Sequence, residues 1–168
     1  MDDLTTAIHE AGHAVAFYRL FGDSWRIGHT VSIKPEDGTA GHHAAEDLSF
    51  DGDDELTPDQ RQMFENEAIY ACAGYAAVVA AGYPEDEAEN GCWSDFESAE
   101  KCSDKPLDEI KREAVLLMQN NTQAVNRIVE ELLKRKSLEF DEVEILIDVA
   151  DGSATEEDYA RYVAMRNT

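Results

Sequence analysis

Apolar residues recur at helical spacing along most of this chain, and acidic connections separate the runs. Leu4, Ile8, Ala11, Val15 and Tyr18 fall three or four positions apart, which predicts a helix at the very start. Asp3 or Thr5 can cap it, and Gly22 follows Leu20 and Phe21 as a stop. Thr30-Val31-Ser32-Ile33-Lys34 alternates, is β-branched and ends at Pro35, so it reads as a short strand. Asp37-Gly38 is a turn signal, and Thr39 to Ala45 is a candidate partner strand.

The next helix has the clearest opening. Thr57 is its cap, Pro58 its first residue, and Gln60 closes a capping box. It is expected to run through Ala68, Ile69, Cys72, Ala76 and Val79 to a stop near Gly82. Its second half, Ala71 to Ala81, is small and apolar on every side, which predicts deep burial. Pro84 to Gly91 reads as an acidic connection, and Ser94 as the cap of a short helix with Glu97 three residues on.

Pro106 starts a long stretch carrying Leu107, Ile110, Ala114, Leu117 and Met118. Asn120-Asn121-Thr122 marks a break, after which Val125, Ile128, Val129, Leu132 and Leu133 resume the pattern. Asp141 is expected to cap Val143 to Val149, and Thr155 to open a last helix holding Tyr159, Tyr162 and Val163. The expected fold is mostly α (α+β): one helical domain over residues 1–168, with a small sheet or hairpin near residues 28–45.

Charge narrows the function. With 14 Lys and Arg against 37 Asp and Glu, the formal net charge is −23. Phosphate contacts need clustered cations, so neither nucleic acid nor an anionic membrane surface is an expected partner. Cys72, Cys92 and Cys102 are odd in number and form no C-x-x-C pair. That usage, with the acidic start Met1-Asp2-Asp3-Leu4, fits a cytoplasmic protein. No P-loop pattern occurs. Seven acidic residues lie between Glu46 and Asp59, but Asp51-x-Asp53-x-Glu55 is followed by Leu56 where a calcium loop needs Gly; a solvated loop is the simpler reading.

The chemistry sits in the first helix. His9-Glu10-Ala11-Gly12-His13 is H-E-x-x-H. Residues i and i+4 share one helix face, so both imidazoles can reach a single Zn²⁺. Glu10, beside them, can take a proton from a water whose pKa zinc lowers to about 7. Gly12 costs about 1 kcal/mol in a helix interior relative to Ala, which calls for a packing or functional reason. A catalytic zinc needs a third protein ligand. Asp95, Glu97, Cys92, His42, His43 and several glutamates are candidates by type. His29 reads as structural or exposed, and Trp93 as a core residue more than a substrate platform.

The motif and its surroundings resemble the peptidase domain of the FtsH-type ATP-dependent zinc metalloproteases. Val31-Ser32-Ile33-Lys34-Pro35 and Ala40-Gly41 are similar to that family's strand and its return. Ala73-Gly74-Tyr75-Ala76-Ala77 stands where the family has Gly-Arg-Ala-Ala-Glu. Gly91-Cys92-Trp93-Ser94-Asp95-Phe96-Glu97-Ser98-Ala99 is similar to Gly-Ala-x-x-Asp-Leu-x-x-Ala, whose Asp is the third zinc ligand. Ala124 to Leu138 resembles the family's late helices. The resemblance implies that His9, His13 and Asp95 hold zinc and that Glu10 is the general base. A helix start at Ser94 agrees with this, since the dipole there favours a fixed carboxylate. Val31, Ser32, Ile33 and Lys34 would offer a strand edge to a peptide.

The departures are Tyr75 for the family's Arg, Val78 for its Glu, and a shorter segment after Asp95. The ATPase module and membrane anchor have no counterpart. ATP-independent cleavage of peptides or unfolded proteins is therefore the expectation, with a separate ATPase or adaptor chain, or a homo-oligomer, as conceivable partners. The rival reading is a non-catalytic, zinc-stabilised binding or regulatory module.

Overall fold

A computed structural model describes residues 3–22, 30–34 and 56–166. Among them the order is α1 (Asp3–Phe21), β1 (Thr30–Ser32), α2 (Pro58–Ala71), α3 (Ala73–Ala80), α4 (Glu85–Ala88) and α5 (Trp93–Cys102). Then follow α6 (Leu107–Asn120), α7 (Thr122–Arg135), β2 (Ser137–Glu139), α8 (Phe140–Asp151) and α9 (Glu156–Arg166). The expectation of a mostly helical chain with a small sheet holds. The Asp37-Gly38 turn, the strand at 39–45, the acidic loop up to Glu55, and His29, His42 and His43 lie outside the described residues.

The strand Thr30–Ser32 finds its partner at the far end of the chain. It pairs antiparallel with Ser137–Glu139, in the register Thr30 with Glu139, Val31 with Leu138 and Ser32 with Ser137. The Ile33 amide extends the contact by donating to the Lys136 carbonyl at 3.0 Å. The resemblance places residues up to Leu138 in late helices, and the difference begins at Lys136. It caps α7 in the left-handed region at φ 67° and turns the chain back. A non-glycine residue seldom adopts that conformation, so the usual sequence signal for the reversal is missing.

Helix boundaries follow local chemistry. Thr57 and Gln60 form the expected capping box ahead of Pro58. The chain then breaks at Cys72 (φ −83°, ψ −1°), splitting the expected single helix into α2 and α3. Glu139, not Asp141, caps α8, by a reciprocal box with Glu142. Asn121 does separate α6 from α7.

The core is built around α1 and α3. Helix α1 packs on α3, α7 and α2, while α3 also packs on α6. The close contact of α1 with α3 requires a missing side chain. A Cβ at Gly12 would lie 2.5 Å from the Ala73 carbonyl oxygen and 2.6 Å from the Ala77 Cβ. From α7 and α8, Ile128, Leu132, Leu146 and Ile147 are fully buried. Each such side chain contributes about 1.5–3 kcal/mol through its burial.

Glu67 is an exception inside this apolar setting, only 5% exposed on α2. Burial pushes its carboxyl from an ordinary 4.5 up to about 7. Across that window the folded chain holds a proton that the unfolded chain has released, so stability falls as pH rises through it. Glu67→Gln is therefore expected to stabilise the protein by about 1–3 kcal/mol at neutral pH and above. The gain should shrink towards zero at and below pH 4.5. Urea unfolding of both proteins at the two ends of the range checks it.

Candidate metal centre

Four helices build the centre. His9, Glu10 and His13 come from the middle of α1, Tyr70 from the end of α2, Gly74 from α3, and Asp95 from the first turn of α5. Helix α5 starts two residues earlier than expected. Cys92 is its N-cap, with no side-chain capping bond, and Ser94 lies inside the first turn. The Phe96 amide donates to the Cys92 carbonyl at 3.0 Å, so the backbone makes the start that Ser94 was expected to make. Asp95 still lies where the helix dipole favours a carboxylate.

His9 Nε2, His13 Nε2 and Asp95 Oδ2 converge. The two nitrogens are 3.2 Å apart, and the carboxylate oxygen is 3.5 Å from His9 and 3.6 Å from His13. Both imidazoles are 12% exposed and Asp95 20%. Burial alone would raise the Asp95 carboxyl, but when the two rings carry protons on Nε2, their hydrogen bonds and charge hold it well below the usual carboxylate range.

The partners of the other ring nitrogens assign the protons. His13 Nδ1 lies 3.1 Å from the Tyr70 carbonyl oxygen, which can only accept, so Nδ1 carries the hydrogen. The Cys92 thiol donates to the Ala88 carbonyl at 3.1 Å, leaving its sulfur to accept from His9 Nδ1 at 3.9 Å. With both Nδ1 atoms protonated, each neutral ring turns a bare Nε2 lone pair inward. Two lone pairs and a carboxylate oxygen then face one another, which demands positive charge between them. Added protons would put two imidazolium rings 3.2 Å apart at their Nε2 atoms; a metal ion satisfies all three donors without that repulsion.

Gly74 sets the position of the His9 ring. A Cβ there would fall 2.4 Å from His9 Cε1 and 2.6 Å from both ring nitrogens, so the imidazole rests directly on the α3 backbone. Sequence reasoning picked out Gly12 but gave Gly74 no role of its own. The small-residue run around Gly74 was the available signal.

Glu10 lies beside His9 in the sequence and is largely withdrawn from water. Its Oε2 is buried and has no hydrogen-bond partner among the described residues. Burial raises its carboxyl, His9 lowers it, and Asp95 raises it again, with a net upward shift. The Cys92 thiol, fully buried, is pushed up to about 12, chiefly by burial.

His9, Cys92 and Asp95 form a group able to hold a metal ion, with ligand atoms within 4.8 Å of one another. Cys92 and Asp95 approach different sides of the His9 ring, however. Asp95 shares the Nε2 side with His13, and Cys92 lies at Nδ1. Val31, Ser32, Ile33 and Lys34 are not part of this cluster. Val31 is buried, and β2 engages one edge of their strand. Trp93 is 82% exposed, contrary to its reading as a core residue, because the helix start leaves its indole outside the packing. Tyr75 and Val78 are buried on α3.

The fold and this cluster define a mostly helical domain with a candidate metal centre on its first helix. No protein-family model matches the chain, and no curated protein matches it significantly. None of the described helices is long and apolar enough to cross a membrane.

The two close-approach glycines separate fold from site. Gly12→Ala should destabilise the protein by about 1–3 kcal/mol, since its Cβ meets backbone and a helix must move. Gly74→Ala meets a side chain instead. It should displace the His9 ring and cut metal affinity by at least about tenfold while costing less stability than Gly12→Ala. Paired urea unfolding and cobalt titration of the two variants check the contrast.

Proposed function

We propose that this domain is a zinc-dependent metallopeptidase that hydrolyses peptide bonds in peptides or unfolded proteins. The observation carrying the proposal is the triangle of His9 Nε2, His13 Nε2 and Asp95 Oδ2, with edges of 3.2, 3.5 and 3.6 Å. Tetrahedral zinc bound by nitrogen and oxygen at about 2.0–2.2 Å needs donors about 3.3–3.6 Å apart. Three protein donors among the described residues leave a fourth position for water, as a catalytic site requires. The resemblance to the FtsH-type peptidases supports the same three ligands.

When bound, zinc supplies Lewis acidity, lowering the pKa of a water and polarising a scissile carbonyl. Glu10 accepts the proton of that water at its unpartnered Oε2 and delivers it to the leaving amine nitrogen. Its raised pKa makes it a better proton acceptor than an exposed glutamate. Asp95 and the two imidazoles would hold the ion, and the Tyr70 carbonyl fixes the His13 tautomer. The buried, unpaired Glu10 oxygen favours catalysis over the binding-module reading, since a structural ion has no use for it. Val31, Ser32, Ile33 and Lys34 remain the stretch proposed to receive an extended peptide by strand addition. A separate ATPase or adaptor chain would be needed to deliver folded substrates.

Glu10→Gln separates the steps. It should retain about one zinc per chain and the wild-type melting temperature while losing about 10²–10⁴-fold in cleavage of a casein-like unfolded protein, measured without ATP. Asp95→Ala and His13→Ala should lose zinc instead. A zinc-loaded wild type that cleaves neither unfolded protein nor a peptide library returns the domain to the non-catalytic class.

A further inference from the structure

We infer that Cys92 is the positioning residue for His9, acting through its sulfur on His9 Nδ1, and is not a ligand of the metal. The inference rests on the metal reading above and goes beyond its ligand set. Cys92 is an attractive ligand by type, being fully buried and close to His9 and Asp95. The geometry assigns it a different task.

An imidazole that binds a metal through Nε2 must keep its proton on Nδ1, and a hydrogen-bond acceptor at Nδ1 enforces this. For His13 that acceptor is the Tyr70 carbonyl oxygen at 3.1 Å. For His9 the atom in the equivalent place is Cys92 Sγ, at 3.9 Å, a distance suited to sulfur. Cys92 is oriented in turn: its thiol hydrogen is committed to the Ala88 carbonyl at 3.1 Å, so a sulfur lone pair is left to accept from His9. The chain Ala88 carbonyl, Cys92 thiol, His9 imidazole ends at the Nε2 that faces His13 and Asp95. Gly74, lacking a side chain, lets the His9 ring lie directly against the α3 backbone.

A ligand role would require the sulfur and the Nε2 triangle to share one ion. Sγ contacts His9 at the nitrogen on the opposite side of the ring from that triangle. An ion bound through His9 Nδ1 to Cys92 would abandon His13, the second histidine of the motif.

Three observations on the full chain test the assignment. Cobalt(II) serves as a spectroscopic stand-in for zinc, and its affinity is measured by chelator competition. Cys92→Val keeps the volume and removes the acceptor, and Cys92→Ser keeps an acceptor and a donor. Wild type should bind cobalt with no intense thiolate-to-cobalt band in the near ultraviolet. Cys92→Val should weaken affinity about 10–100-fold, and Cys92→Ser should stay close to wild type. A strong thiolate band in wild type overturns the inference by making Cys92 a ligand. Unchanged affinity in Cys92→Val, or greater loss in Ser than in Val, overturns it by reducing Cys92 to core packing. A folded wild type that takes up no cobalt overturns the metal reading itself and this inference with it. Should Cys92→Val fail to fold, the wild-type spectrum and the Cys92→Ser affinity still decide.

Discussion

Everything at the candidate centre depends on how closely α1 and α3 approach. Two positions without a side chain make that approach possible. Gly12 leaves room for the Ala73 carbonyl and the Ala77 methyl, and Gly74 leaves room for the His9 ring. The first contact fixes the distance between the helices; the second turns that distance into a position for the His9 imidazole. Glycine inside a helix costs about 1 kcal/mol each time. Here that cost is offset by packing of the alanine-rich α3 face, where Ala73, Ala76 and Ala77 are almost completely buried. The same constraint explains why α3 is small and apolar on every side: it packs on α1 and on α6.

On this frame the electrostatics are arranged in layers. The inner layer is two imidazole nitrogens and one carboxylate oxygen, a set able to hold a cation. The outer layer is made of hydrogen-bond acceptors, the Tyr70 carbonyl and the Cys92 sulfur, that keep protons on the far nitrogens. Glu10 belongs to neither layer. Its Oε2 is buried with no hydrogen-bond partner among the described residues, a costly arrangement. The large acidic excess of the chain does not enter this local account.

Much of this was legible in the sequence because it rests on local chemistry. The i, i+4 histidines, the Thr57 capping box and the break at Asn121 each depend on a few neighbouring residues. Asp95 was reached through a resemblance and one argument about a helix start; the start proved to be at Cys92, and the position of Asp95 in the first turn survived. What could not be read were contacts between distant segments. Ser137–Glu139 pairs with Thr30–Ser32 across more than a hundred residues, and a left-handed lysine sets its start. The role of Gly74 appears only when α1 lies against it. Trp93 was assigned inward on residue type alone, while the helix start leaves it outside.

The central claim is that His9 and His13 present unprotonated Nε2 atoms to one ion while both Nδ1 atoms keep their hydrogens. Nitrogen NMR of labelled histidine side chains, with zinc added to the metal-free protein, tests it most directly. Five histidines are present. On addition of one equivalent of zinc, the Nε2 resonances of His9 and His13 should move to metal-bound positions, and their Nδ1 hydrogens should become slow to exchange. Zinc coordination at Nδ1 of either residue, or zinc that leaves both rings unchanged, would contradict the account.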